Sequence, residues 1–108
     1  MSIRYEKSAA LYERANQFTP CGVHTSIRNV VPHLIFKKAE GACIYDADDN
    51  RYIDYQAAFG PYILGHCHPY VTQRVIEAIR RTDLYGVGTT DLEIILAEKI
   101  VKHVPSAE

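Results

Sequence analysis

The chain has 108 residues, 47% of them hydrophobic and 23% charged, the composition of a globular protein and not of a disordered or low-complexity segment. Twelve Lys and Arg against thirteen Asp and Glu leave a formal net charge of -1, which offers no broad positive field to nucleic acid or to an anionic membrane. No apolar run nears the ~20 residues of a bilayer span. The charged opening MSIRYEKSAALYER also lacks the apolar centre of a secretion signal. Cys21, Cys43 and Cys67 form no CxxC pair, so the chain reads as a single cytoplasmic domain whose cysteines are small, buried or half-buried hydrophobes.

Residues 2–18 carry a helical period, with Leu11, Ala15 and Phe18 recurring at i, i+4 and i+7. Pro20 and Gly22 stop that helix, and Thr19 to Pro32 fits neither the helical nor the strand period, which predicts an ordered loop. His33 to Lys38, Ala42 to Asp46 and Arg51 to Tyr55 are rich in Ile, Tyr and Phe. Glu40-Gly41 and Asp48-Asp49-Asn50 separate them, predicting a small antiparallel three-stranded meander. Ala57 to Pro69 is irregular, punctuated by Gly60, Pro61 and Gly65.

Pro69 then opens a helix to Arg81, with Val71, Val75, Ala78 and Ile79 on one face and Arg80 and Arg81 against the negative end of the dipole. A linker from Asp83 to Thr89 holds Gly86 and Gly88. Thr90-x-x-Glu93 is a capping-box pattern, Leu92, Leu96 and Ile100 form the stripe of the final helix, and Pro105 ends it. The fold class is α+β. Three helices and a meander bury only a small core, so the chain is expected to be the front end of something larger.

Few residues point to chemistry by type and spacing. His66-Cys67-His68 has no second ligand pair to complete a metal site and is expected to form a turn and cap a helix. Cys21 near His24 makes no thiol–imidazole pair by proximity alone. Asp46, Asp48, Asp49 and Asp54 are accounted for by turn formation and solvation. Gly86-Val87-Gly88-Thr89 precedes a helix but completes no phosphate-binding fingerprint, and reads as a hinge or dimer-contact loop ahead of a weak anion site. Arg28 stands among His24, Thr25 and Ser26, where a planar guanidinium grips a carboxylate or forms a surface salt bridge. Phe59, between Ala57, Ala58 and Gly60, lines a pocket or packs in the core.

The string Pro20-Cys-Gly-Val-His-Thr-Ser-Ile-Arg28 resembles the PGGVNSPVR loop of the glutamate-1-semialdehyde 2,1-aminomutase family. The likeness continues through AEGACIYDADDNRYIDY, FGPYILGHCHP and GTTDLEIILAEKIVKHVPSAE. This family belongs to the class III, fold-type I aminotransferases. The resemblance implies pyridoxal phosphate as cofactor, an amino-acid substrate, a homodimer, and a product, 5-aminolevulinate, that feeds tetrapyrrole synthesis.

By the same resemblance Arg28 takes the place of the residue binding the substrate carboxylate, Thr25 the place of a serine beside it, and Phe59 the place of a tryptophan packed on the substrate. Ser26, Thr25 and Phe59 depart from the family's usual residues, which keeps open another α- or β-amino acid as substrate. The implied division is a helix over 1–18, a substrate loop over 19–32, the meander over 33–55 and the start of the cofactor domain over 56–108. The phosphate-binding segment and the cofactor-anchoring lysine are expected beyond Glu108. The isolated chain is therefore expected to be inactive, holding no catalytic, cofactor-binding or metal-binding residue of its own. A non-catalytic interaction module is the alternative.

Overall fold

A computed structural model describes residues 3–83 and 85–107. It divides into two compact units, Met1–Gln73 and Arg74–Glu108.

In the first unit, α1 covers Glu6–Ala15, shorter than the expected 2–18; the Ser2 end of that expectation lies outside the described residues. Tyr5 at the N-cap supplies no side-chain cap. The cap comes instead from Asp48, whose two carboxylate oxygens accept from the backbone N–H of Lys7 and Ser8, each at 2.8 Å. At the other end Thr19 Oγ1 donates to the Ala15 carbonyl, closing the helix before Pro20. The packed face agrees with the predicted one only at Ala15. Ser8, Tyr12 and Ala15 turn inward, whereas Leu11 and Phe18 are exposed. Tyr12 sets this rotation, because its ring stacks on His33 at 3.5 Å and covers Gly22. A Cβ at Gly22 would come within 2.8 Å of that ring.

The meander is present, with strands β1 (Phe36–Glu40), β2 (Cys43–Asp46) and β3 (Arg51–Ile53) in antiparallel order β1-β2-β3. Ala39 pairs with Ile44, and Ile44 with Tyr52. A bulge interrupts β1 between Phe36 and Lys38. The first strand starts later than expected because His33 is taken up by Tyr12. The third ends earlier because the Asp54 side chain turns back on the following backbone N–H groups.

Asp46 anchors the turn between β2 and β3. It is completely buried and accepts from Asp48 N, Asn50 N, Asn50 Nδ2 and Tyr52 Oη at 2.8–2.9 Å. Burial alone pushes its carboxyl up, but the bonds from Asn50, Tyr52 and Asp48 outweigh it and hold the group below the ordinary carboxylate range. Burial, then the bond to Asp46, pushes the Tyr52 phenol up. Asp46 and Asp48 thus do more than shape a solvated hairpin: one organises the turn and the other caps a helix about forty residues away. Cys43 is buried as expected, but Cys21 and Cys67 are exposed, each at a positive φ in a loop.

The second unit holds α3 (Asp91–His103), and the boundary between units falls within α2 (Pro69–Arg81). Both helices match their expected limits. The capping box is formed: Thr90 Oγ1 accepts from Glu93 N, and the Glu93 carboxylate accepts from Thr90 N at 2.6 Å. Arg81 Nη2 reaches both carboxylate oxygens of Asp91, at 3.0 and 3.1 Å, tying the end of α2 to the start of α3. The apolar positions Val75, Ile79, Leu92, Leu96 and Ile100 are exposed. No helix among the described residues is long and apolar enough to cross a membrane.

Candidate functional site

Two short helical turns shape the loop after α1, Pro20–Gly22 and Ser26–Arg28. Thr25 is extended and its carbonyl accepts from Arg28 N at 3.0 Å, so the second turn fixes where Arg28 leaves the backbone. A depression of about 410 Å³ opens over this loop, lined by Thr19, Pro20, Cys21, Val23, His24, Thr25, Ser26 and Asn29. Thr25 lines it; Arg28 and Phe59 do not. The Arg28 side chain is exposed and has no hydrogen-bond or ion-pair partner among the described residues, so the surface salt bridge open to it in the sequence is not formed there.

Phe59 lies on a different loop. It is 74% exposed, so it packs in no core formed by the described residues. Its backbone is unusual: Ala57, Ala58 and Phe59 have φ of 46°, 51° and 66°, followed by Gly60 at 112°. Left-handed backbone costs about 1–2 kcal/mol for each non-glycine residue, and such strain persists only where the surroundings over-determine it.

Asp54 and His66 flank this turn. Asp54 Oδ1 accepts from Gln56 N at 2.9 Å and Ala57 N at 3.1 Å, and Oδ2 lies 2.6 Å from His66 Nε2. The side chains are 10% and 14% exposed. The bond to His66, then the Ala57 and Gln56 N–H groups, hold the Asp54 carboxyl below its ordinary range. An ionised carboxylate only accepts, so His66 Nε2 carries the proton and donates. The His66 backbone exchanges hydrogen bonds with Gly41 in both directions, at 2.8 and 3.0 Å. Gly65, at φ 84°, lets the chains approach; a Cβ there would sit 3.0 Å from the Gly41 carbonyl. The sequence reading gave Asp54 to turn formation and solvation and His66 to a turn and a helix cap; Asp54 does form a turn, but its pairing with His66 was not read. The available signal was a pair of polar groups flanking a stretch of small residues, glycines and a proline. Among the described residues no cluster of three or more His, Cys, Asp or Glu is arranged to hold a metal.

This helix–meander–helix arrangement is that of the fold-type I pyridoxal-phosphate transaminases. An omega-transaminase from Sphaerobacter thermophilus superposes with a TM-score of 0.86 at 29% identity, over 94% of this chain and 24% of its own. A β-phenylalanine aminotransferase from Variovorax paradoxus gives 0.84 at 30% identity, over 93% and 23%. The family model for class-III aminotransferases matches residues 25–108, and the chain belongs to that family. A glutamate-1-semialdehyde 2,1-aminomutase from Methanothrix thermoacetophila is 44% identical over 108 residues, covering 99% of this chain and 25% of the relative. The chain thus spans about a quarter of the length of the curated relatives it matches.

Proposed function

We propose that the chain is the N-terminal part of a pyridoxal-phosphate-dependent aminomutase or aminotransferase of the glutamate-1-semialdehyde type. In this reading Arg28 binds the substrate carboxylate, Thr25 donates a hydrogen bond beside it, and Phe59 packs on the substrate. The observation that carries the reading is the unpaired guanidinium of Arg28, leaving an ordered turn whose preceding residue, Thr25, lines the depression over the loop. A guanidinium presents a fork of donors matched to a carboxylate and keeps its charge at any working pH.

The residues present do not fit the anchoring of the cofactor. A lysine that holds pyridoxal phosphate must be desolvated to keep its amine neutral. Lys7, Lys37, Lys38, Lys99 and Lys102 are all exposed, and Lys37 and Lys38 are paired with Asp49 and Glu40. In the complete enzyme the cofactor would act as the electron sink, while this part binds and orients the substrate and supplies contacts to a homodimer partner in the cytoplasm. The 108-residue chain mixed with pyridoxal phosphate is expected to show neither a stable protein-bound absorbance near the visible edge nor turnover; both together would overturn this division of labour.

A second reading keeps the family and changes the substrate to another α- or β-amino acid. The 30% identity to a β-phenylalanine aminotransferase favours it, as does Phe59 in place of a tryptophan. Assaying the holoenzyme with glutamate-1-semialdehyde against a panel of β-amino acids separates the two by their kcat/KM. In either case Phe59→Ala is expected to raise KM more than it lowers kcat, and an unchanged KM would remove Phe59 from the site.

A further inference from the structure

We infer that Asp54 and His66 are positioning residues that hold the Ala57–Phe59 turn left-handed and so fix where the Phe59 ring is presented; this rests on the reading of Phe59 as a substrate contact. The loop between them is tied at both stems to adjacent residues. Asp54 N donates to the Ala42 carbonyl at 2.9 Å, and His66 is bridged to Gly41 through its backbone. Both carboxylate oxygens of Asp54 are used, Oδ1 inside the turn and Oδ2 on the far stem. One side chain therefore joins the strained backbone to the point where the loop returns.

Ala58 and Phe59 are exposed, so burial of their side chains does not hold the turn. Its own bonds are Phe59 N to the Gln56 carbonyl and Gly60 N to the Ala57 carbonyl, which a right-handed turn makes equally well, and Tyr62 N adds a longer bond to the Ala57 carbonyl at 3.5 Å. The handedness must come from outside the three residues. Asp54 reaches Gln56 N and Ala57 N at the entry to the turn. The tilted Tyr62 ring, 4.6 Å from the His66 ring, keeps the imidazole facing Asp54.

The test is by NMR on the 108-residue chain without any amino acid present. In Asp54→Ala the φ-dependent couplings of Ala57, Ala58 and Phe59 are expected to move to negative φ. Amide exchange at Gln56 and Ala57 is expected to rise about tenfold, the equivalent of one lost hydrogen bond, with the β1–β2–β3 pairing intact. Asp54→Asn keeps an acceptor for the Gln56 and Ala57 N–H groups but turns a donor toward His66. It is expected to retain the left-handed couplings while the His66 Nε2 nitrogen shift moves from the protonated to the unprotonated position. Left-handed couplings persisting in folded Asp54→Ala overturn the inference. If that variant does not fold, an unchanged His66 Nε2 shift in Asp54→Asn overturns it. The Phe59→Ala kinetics above test the substrate contact separately, so a clasp that holds no substrate residue is told apart from no clasp.

Discussion

Asp46 lies under the β2–β3 turn with both carboxylate oxygens engaged by four donors. Replacing it by Asn keeps the volume but points an amide N–H₂ at groups that are themselves donors. Asp46→Asn is expected to lower stability by roughly 1–3 kcal/mol, the range for buried polar groups left unpaired, read from urea unfolding at pH 7. The acid limb follows from the same group. Asp46 and Asp54 both have folded-state carboxyls below their unfolded values. The stability they contribute is therefore fully present above the unfolded pKa of about 4 and is lost as pH falls through the lower folded values. The urea midpoint is expected to stay level from neutral pH down to about 5 and to decline below about 4, less steeply in Asp46→Asn; parallel curves would contradict this assignment. Gly65→Ala meets both a positive φ and the Gly41 backbone, and is expected to destabilise by roughly 1–3 kcal/mol in the same assay.

At the scale of elements, the parts of the fold set by local chemistry were legible. Thr90-x-x-Glu93 and Pro69 placed the starts of α3 and α2, and the Glu40-Gly41 and Asp48–Asn50 punctuation placed the meander. What depends on distant partners was not. The period at Leu11, Ala15 and Phe18 was right for Ala15 but put Leu11 and Phe18 inward in place of Ser8 and Tyr12, because the stack of Tyr12 on His33 decides the rotation of α1. The cap of α1 was invisible for the same reason, being supplied by Asp48. Asp48→Ala is expected to speed amide exchange at Lys7 and Ser8 while leaving α3 unaffected. Thr90→Ala, by contrast, should fray only α3 and cost about 1 kcal/mol, seen as local exchange at Leu92 and Glu93. The candidate site divides likewise. Arg28, Thr25 and Phe59 come from a resemblance in short collinear strings, whereas the Asp54–His66 pair needs the loop to close before its members meet.

For the molecule as a whole, the apolar stripes of α2 and α3 stand exposed in a chain that spans about a quarter of its relatives' length. Among the described residues nothing covers these surfaces, which the sequence marks as core. The central claim is that Arg28 recognises a carboxylate. It is tested most directly by comparing Arg28→Ala with the unaltered holoenzyme on an amino-acid substrate and on the matching amine that lacks the carboxylate. Loss of a charge-assisted pair worth about 1.5–3 kcal/mol predicts a fall in kcat/KM of roughly 10- to 150-fold on the amino acid and little change on the amine. An equal fall on both substrates, or none on the amino acid, would contradict the account.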